Sequence, residues 1–386
     1  MHRRAFLPQI IFCFFFYFLN GIIYSQLTGR MPALKAHANV DEAGVGLALM
    51  SLGMGSLVGF TTIGLLFKKL QSRTILSVSA YVCLALFLAT TLADSLVTLC
   101  LNFALIGLFF AYYDVTMNTQ IINLELASGG QYMLRMHAGF NVGSLTGSVC
   151  ASLFAFAGVG ISGNFTAVAL FFILPCVVGS RQLLNDIIPE EVARNRAKRK
   201  GHARIPLFVL FCGLMALCAY TIEGAVGEWG GLVMHQTKNA TEGLAALVYG
   251  TYSLVTAIVR FNGDRLRAYF GDFRVVLFGG FFAFAGMSTV IFASDPYVTL
   301  GGYALTGVGL SSLVPLLLSR VGHRPDIAPS TAASVVSLFG FGGMLVIPPS
   351  LGFLARRFGL EEAMFLPLFL ICLVIAGSFV FRFARR

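Results

Sequence analysis

The stretch PEEVARNRAKRKGHAR, residues 189–204, is the one strongly polar run in a chain of 386 residues. About six apolar segments long enough to cross a bilayer precede it, and about six follow it. A charged segment between two equal sets of hydrophobic spans is typical of membrane proteins built from two duplicated halves. This layout predicts a transporter before any shorter motif is considered.

The amino-acid composition predicts a helical membrane protein. Hydrophobic residues make up 57% of the chain and charged residues 11%, whereas a soluble domain carries about 25% charged residues. We predict an all-α membrane protein with twelve transmembrane helices in two pseudo-symmetric six-helix bundles. The predicted spans, numbered 1 to 12, are 6–28, 43–67, 74–93, 97–120, 131–157, 164–184, 205–233, 242–262, 274–293, 297–320, 331–355 and 362–381.

The basic residues are distributed unevenly over the predicted loops. If the N-terminus is cytoplasmic, 22 of the 27 lysines and arginines lie on the cytoplasmic side. This bias predicts a multi-pass protein of the cytoplasmic (inner) membrane with both termini in the cytoplasm. It also accounts for the net charge of +10 without a nucleic-acid partner. We expect an N-terminal bundle at 1–184, a basic cytoplasmic linker at 185–204 and a C-terminal bundle at 205–386.

Two local sequence similarities support the duplication. FALIG at residues 103–107 of span 4 resembles YALTG at residues 303–307 of span 10. The basic loop at residues 68–73, after span 2, has a counterpart at residues 263–274, after span 8. Both similarities fall at the offset of about 200 residues that two six-span halves require.

No pattern in the chain indicates a cofactor or an enzyme. The eight cysteines all lie inside predicted spans, without a C-x-x-C pair or a histidine at metal-ligand spacing, and we interpret them as packing residues. Phosphate-binding loops, dinucleotide glycine patterns and nucleophile elbows are absent from the sequence. We expect no cofactor, no metal and no catalysis. The expected partners are a small organic solute, protons and the lipid bilayer, and we expect a monomer.

Two carboxylates in span 7, Glu223 and Glu228, are candidates for proton coupling. Burial in a low-dielectric cavity disfavours a charged carboxylate, so such a group can exchange a proton near neutral pH. Residues five apart do not share a face of an α-helix, and we expect the two acids to have different roles. Glu223 is predicted to face the cavity as a proton-coupling or substrate-binding acid. Glu228 is predicted to be either functional or an interfacial acid near the outer mouth.

Asp114 in span 4 is a further intramembrane acid, with Asn118 one helical turn later. An unpaired aspartate within the membrane is expensive, so we expect Asp114 to pair with Arg135 or His137. This pair would form either an inner gate or a proton relay. His137 can change its charge near neutral pH, although a hydrogen-bonded structural histidine is the alternative.

Hydroxyl, amide and aromatic side chains at helical spacing predict a substrate-binding surface on spans 1 and 8. Interhelical hydrogen bonding is the alternative role for these stripes. Arg260, close to Asp264 in sequence, is also predicted to latch a cytoplasmic gate. The stripes are Tyr17, Asn20 and Tyr24 in span 1, and Tyr249, Ser253, Thr256 and Arg260 in span 8; Asn118, Asn141 and Trp229 complete the predicted substrate-binding set.

Six short motifs are spread over the chain: RMPAL (30–34), DVTMN (114–118), HAGFNVGS (137–144), EGAVGEW (223–229), GDRL (263–266) and Pro348-Pro349. Together they resemble the major facilitator superfamily and, within it, the YbjJ-like inner-membrane transporters. The resemblance covers essentially the whole chain and implies two six-helix bundles that rock about a central site. The chain departs from the family's loop motif after span 2, where Lys68 occupies the usual acid position, and span 5 has Gly143-Ser144 in place of the glycine-proline of drug–proton antiporters.

These observations predict a secondary active transporter that moves a small organic solute by alternating access, coupled to protons. The alternatives are an exporter of amphipathic metabolites or drugs, and a non-transporting membrane sensor with a transporter fold. Pro348-Pro349 is predicted to break or kink span 11, because two backbone donors are lost and the rings crowd the preceding turn. Such a bend could serve a gate or be a static kink.

Overall fold

The computed structural model describes residues 6–129, 132–186, 205–322 and 329–383. These residues are almost entirely helical, and eleven of their helices are long and apolar enough to cross a membrane. The helix Pro329–Phe358, with 30 residues, corresponds to span 11, which brings the spans to the predicted twelve. The all-α membrane fold is therefore confirmed. Most of the predicted linker, residues 187–204, lies outside the described residues.

The first half contains spans 1 to 6. Its helix starts follow the expected local chemistry: the Asp41 carboxylate accepts a hydrogen bond from the Gly44 amide at 2.8 Å and caps span 2. Ser95 and Thr98 form a capping box at the start of span 4. The helices are Leu7–Gly29 (span 1), Met31–His37, Glu42–Leu66 (span 2), Ser72–Ala89 (span 3), Leu96–Ser128 (span 4), Met133–Phe156 (span 5) and Ile161–Ser180 (span 6).

The second half contains spans 7 to 12. Span 8 continues far beyond its predicted end, so the expected loop at 263–273 is largely helical. Gly271, with φ 74° and ψ 161°, separates spans 8 and 9, and this backbone conformation is open to glycine because it has no Cβ. The helical segments are Leu207–Gly224, Ala225–Trp229 and Gly230–Thr237 (span 7), Glu242–Phe292 (spans 8 and 9), Pro296–Leu310 and Leu313–Gly322 (span 10), Pro329–Phe358 (span 11), Leu360–Ala363, and Phe365–Phe383 (span 12).

Of the predicted break or kink of span 11 at Pro348-Pro349, the break is wrong, because the helix runs through both prolines, and the kink stays a prediction. Proline is tolerated within membrane helices where neighbouring elements pack closely. Here the proline backbone packs against Gly46 of span 2: a Cβ at position 46 would lie 2.8 Å from the Pro348 carbonyl oxygen and 3.2 Å from the Gly352 Cα. The two prolines thus lie at the contact between the halves.

The structure shows the duplication in places that the sequence comparison missed. Asn39 and Asn239 have φ values of 50° and 53° and are the two non-glycine residues with positive φ in the described ranges. Each lies two residues after a short helix, which ends at His37 or at Thr237, and Glu42 and Glu242 begin the next helices at the same offset of 200 residues. The matching glycines of the 103–107 and 303–307 motifs also pack alike: Gly107 approaches span 2 and Gly307 approaches span 8.

The two halves meet at one end of the molecule, which we call the distal end. Arg30 at the end of span 1 pairs with Glu242 at the start of span 8, at 3.5 Å. Asp41 at the start of span 2 pairs with Arg356 at the end of span 11, at 3.2 Å. Span 2 packs on span 11, and span 5 packs on span 8. These contacts close the distal end.

The other end, which we call the terminal end, holds residue 6 and residue 383, because twelve crossings return the chain to its starting face. The side chains of His137 and Arg260, in the halves of spans 5 and 8 toward this end, are exposed. In contrast, Trp229 at the distal side of span 7 is fully buried. The cavity between the halves is therefore open toward the terminal end and closed at the distal end.

Candidate functional site: a polar cavity between the two halves

The wall of the cavity from the first half is built by spans 1, 4 and 5. The Tyr17 hydroxyl donates a hydrogen bond to the Asn118 side-chain oxygen at 2.7 Å, and the Asn118 amide donates to the Asp114 carbonyl oxygen at 2.8 Å. The His137 ring meets the Tyr17 ring edge-on, with 5.0 Å between centroids. The side chains of Tyr17, Asn118 and His137, from three separate spans, therefore form one contiguous surface.

An aromatic contact joins the two halves deeper in the cavity. Tyr24 of span 1 packs edge-to-face on Tyr249 of span 8, with centroids 5.2 Å apart, a geometry that aromatic pairs favour. The Tyr249 hydroxyl interacts with Ser253 one turn later and with the Glu223 carboxyl group. The predicted span 1 and span 8 stripes thus face each other, and Glu223 faces the cavity between them.

The segment Ala225–Trp229 of span 7 is a π-helical turn. In such a turn the backbone bonds join residues five apart, so residues at this spacing come closer to one side than in an α-helix. Tyr24 accordingly lies within electrostatic reach of both Glu223 and Glu228. The two carboxyl groups nevertheless have different surroundings, because Glu223 interacts with Tyr249 of span 8, whereas Glu228 borders span 11. The expectation that the two acids have different roles stays a prediction.

Glu228 is the most enclosed acid of the cavity, with 5% of its surface exposed. Its carboxyl group forms no hydrogen bond or ion pair with any described residue. It borders a small hollow between spans 7 and 11 that has room for about one water molecule. The hollow is lined by Tyr220, Thr221, Gly224, Ala225, Glu228, Gly343, Pro348 and Leu351.

Trp229 follows Glu228 and is sealed at the distal contact, with 0% exposure. A Cβ at Gly352 of span 11 would lie 3.2 Å from the Trp229 ring. The indole N–H has no hydrogen-bond acceptor among the described residues. In this arrangement Trp229 therefore packs between the halves and does not face the open part of the cavity.

Asp114, His137 and Arg260, three of the residues predicted to gate or to couple protons, lie toward the open end. Asp114 is half-buried, and its carboxyl group has no hydrogen-bond or ion-pair partner in the part of the chain that the structure describes. The predicted pair between Asp114 and His137 is not formed, because His137 packs on Tyr17 instead. Two further predicted partners, Arg135 for Asp114 and Asp264 for Arg260, have side chains that lie outside the described residues.

Arg260 is held in place by span 10. Its Nε atom donates a hydrogen bond to the Ser311 carbonyl oxygen at 2.9 Å, while the side chain as a whole is exposed. Its charge reaches Glu223 of span 7 and His137 of span 5. Arg260 therefore faces the cavity, and the latch with Asp264 stays a prediction.

The remaining predicted residues differ in their surroundings. Asn20 is 8% exposed and Asn141 is half-buried, and neither makes a side-chain hydrogen bond within the described ranges. Thr256 is buried and contacts the Gly307 carbonyl oxygen at 3.5 Å. In the described residues, no three His, Cys, Asp or Glu side chains converge as ligands for a metal ion.

Sequence reasoning missed Tyr220. This residue precedes Glu223 by three positions and so lies on the same side of span 7. Its hydroxyl is within electrostatic reach of Glu223, Arg260 and Asp114, and its side chain also lines the hollow beside Glu228. The i, i+3 spacing from Glu223 was the signal in the sequence that could have identified it.

Comparisons with known proteins agree with this architecture. A sequence model described as Major Facilitator Superfamily matches residues 11–326. An uncharacterized MFS-type transporter of Yersinia pestis is 26% identical over 369 residues, which cover 94% of this chain and 92% of the relative.

Solved structures show the same fold at low sequence identity. A mutant form of the nucleoside transporter NupG superposes with a TM-score of 0.77 at 11% identity, covering 98% of this chain and 100% of the other. A D-xylose-proton symporter gives a TM-score of 0.76 at 11% identity, covering 97% of this chain and 96% of the other. The fold is shared over the full length of both proteins.

Proposed function

Because the chain belongs to the Major Facilitator Superfamily, we propose that it is a proton-coupled secondary transporter that moves a small organic solute by alternating access. A cavity that is closed at the distal end and open at the terminal end is one of the two arrangements that this mechanism requires. The conversion between them would separate the distal contacts and close the terminal end. Within the superfamily, we propose the YbjJ-like subgroup on the motifs quoted above.

We propose that the terminal end faces the cytoplasm. The support is the distribution of basic residues, 22 of 27 on this side, together with the tendency of cytoplasmic loops to carry lysine and arginine. The protein then lies in the cytoplasmic membrane as a monomer, with 1–184 and 205–386 as its two moving bundles and 185–204 as the linker. The arrangement described here is open to the inside.

The observation that carries the proton-coupling proposal is the enclosed carboxyl group of Glu228. A buried carboxylate without a partner costs several kcal/mol, and a bound proton removes that charge. Glu228 lies at the contact that must separate when the distal end opens, and separation would give the carboxyl group access to outside water. Proton exchange at Glu228 is thereby tied to the position of the two halves, which is the requirement for coupling.

The polar and aromatic walls support an organic solute as cargo. Tyrosine hydroxyls, Asn118 and the Glu223 carboxyl group can hydrogen-bond a polar molecule, while the rings of Tyr17, Tyr24 and Tyr249 offer apolar surface. Two proteins of the same fold, a nucleoside transporter and a D-xylose-proton symporter, are compatible with this class of cargo and with proton coupling.

The proposal is tested in liposomes that contain the purified full chain and a fluorescent pH indicator. A panel of polar metabolites is added, and entry of solute and of protons is recorded with and without a pH gradient. Wild-type protein is expected to accumulate at least one solute under the gradient. Glu228→Gln should lose gradient-driven accumulation yet keep exchange of solute for solute, whereas the control Glu362→Gln, at an exposed distal position, should match wild type.

Two results would contradict the proposal. Accumulation that is equal in wild type and Glu228→Gln would show that Glu228 does not carry the proton. Absence of both flux and exchange for the whole panel would favour a membrane sensor with a transporter fold.

A further inference from the structure

Building on the proposed transport function, we infer that the cargo is a small zwitterion whose anionic group binds Arg260 and whose cationic group binds Asp114. The two side chains lie in opposite halves of the molecule, on spans 8 and 4. Both face the part of the cavity that is open toward the terminal end.

The Arg260 guanidinium is positioned as an anion-binding group. Its Nε atom is engaged by the Ser311 carbonyl oxygen at 2.9 Å, which fixes the side chain against span 10. Its two terminal amino groups form no ion pair with any described carboxylate. Arginine offers a planar pair of donors that matches a carboxylate or a phosphate.

Glu223 is the acid whose charge Arg260 reaches, yet the two form no ion pair, and the Glu223 carboxyl group interacts with Tyr249 instead. His137 also lies within reach of the Arg260 charge, and it packs on Tyr17. The other titratable groups that Arg260 reaches are the tyrosines Tyr220, Tyr249 and Tyr252. Neither Glu223 nor His137 therefore occupies the terminal amino groups of Arg260.

The Asp114 carboxyl group is the matching anion on the opposite wall. It has no hydrogen-bond or ion-pair partner in the described ranges. Tyr220 of span 7 lies within electrostatic reach of both Asp114 and Arg260, so the two charges lie near the same residue of span 7. Asp114 and Arg260 form no ion pair with each other, so each is available to one charge of a ligand that binds between the halves.

Closure of the terminal end gives the physical reason for a zwitterion. While the cavity is open, water can solvate both side chains. When it closes, each charge must find a partner or lose its solvation at a cost of several kcal/mol. A solute with one positive and one negative group satisfies both side chains at once, whereas a neutral or singly charged solute leaves at least one of them unpaired.

The test measures binding to the purified full-length protein by thermal stabilisation. The first probes are the twenty proteinogenic L-amino acids. The strongest of them is then compared with its carboxamide, which keeps only the positive charge, and its N-acetyl derivative, which keeps only the negative charge. Wild-type protein is expected to bind the amino acid at least about tenfold more tightly than either derivative, as expected for loss of a charged contact.

Single substitutions assign each charge to its residue. In Arg260→Gln the amino acid and its carboxamide should bind equally, because the group that reads the carboxylate is gone. In Asp114→Asn the amino acid and its N-acetyl derivative should bind equally. Arg73→Gln and Asp94→Asn, at exposed positions outside the cavity, serve as matched controls and should keep the wild-type preference. Arg260→Lys and Asp114→Glu provide foldable replacements if the first variants are unstable.

The inference is overturned if no amino acid binds, or if the derivatives bind as tightly as the parent. It is also overturned if both substitutions weaken all three probes equally, because the two residues would then form a gate and not a ligand site. The outcome can be separated from that of the proposed transport function. Flux of a neutral solute would refute the zwitterion as cargo and leave the transport function intact. Binding of an amino acid without any flux would support the zwitterion site and refute transport.

Discussion

Replacing Gly46 with alanine should open the distal end, and the structure allows the size of the effect to be worked out. A Cβ at position 46 would lie 2.8 Å from the Pro348 carbonyl oxygen and 3.2 Å from the Cα atoms of Pro349 and Gly352. All three contacts are to the backbone of span 11, which cannot turn aside as a flexible side chain can. Overpacking of this kind costs about 1–3 kcal/mol.

The cost falls on only one of the two arrangements of the transporter. Gly46 lies in span 2 and its contacts lie in span 11, so the clash exists only while the distal end is closed. The whole penalty therefore shifts the equilibrium toward the distal-open arrangement, by about 5- to 150-fold for 1–3 kcal/mol. Gly64→Ala is the matched control, because it is the same substitution in the same span with no atom within 4 Å of the new Cβ.

The assay uses the single tryptophan of the chain. Trp229 is fully buried at the distal contact, beside Gly352 of span 11. Opening should admit water and a small quencher, so Gly46→Ala should show stronger acrylamide quenching and a red-shifted emission. Gly64→Ala should match wild type. Equal quenching of the two variants would refute the assignment of the span 2–span 11 contact as the distal closure.

Three further predictions concern individual contacts. Arg30→Gln should increase Trp229 quenching and lower the free energy of unfolding by about 1.5–3 kcal/mol, because the buried Arg30 pairs with Glu242 and donates to the Val159 carbonyl oxygen at 2.9 Å. Arg356→Gln, which removes a side chain that is 64% exposed, should change the free energy of unfolding by less than about 1 kcal/mol. A larger loss at Arg356 would contradict this ranking of the two distal ion pairs. Tyr17→Phe should remove the hydrogen bond to Asn118 and weaken either solute binding or the folded state by about 0.5–1.5 kcal/mol, as measured by thermal unfolding with and without solute. If neither solute binding nor thermal unfolding changes, the hydrogen bond contributes nothing. Asn39→Ala and Asn239→Ala should each destabilise the folded protein by about 1–2 kcal/mol, since alanine tolerates positive φ poorly, whereas Asn39→Gly and Asn239→Gly should not. A difference between the two positions in thermal unfolding would argue against their equivalence.

The spans were predictable because their signal is local. About 20 apolar residues in a row identify a membrane helix whatever surrounds it, and the described helices confirm the predicted fold. The ends of the helices were less predictable. Span 8 extends past residue 262 because its polar continuation remains helical up to Gly271, where a positive φ ends it. Composition carries no signal for that extension.

The site was predictable as a set of residues but not as a set of contacts. Tyr17 and Asn118 were identified by helical spacing, yet their hydrogen bond depends on how spans 1 and 4 pack. The π-helical turn Ala225–Trp229, which contains Glu228, has no signature in the sequence. Asn39 and Asn239 stand at an offset of 200 residues and could have been recognised as a repeat, since asparagine is the residue other than glycine that most readily adopts positive φ.

The central claim is that Glu228 holds the transported proton while the distal end is closed. Infrared spectroscopy of the membrane-reconstituted protein detects a protonated carboxyl group by its C=O stretching band, without requiring an identified solute. We predict that wild type at neutral pH shows such a band, that Glu228→Gln lacks it, and that Glu362→Gln retains it. A wild-type spectrum in which the band is absent, or a band that persists unchanged in Glu228→Gln, would contradict the claim.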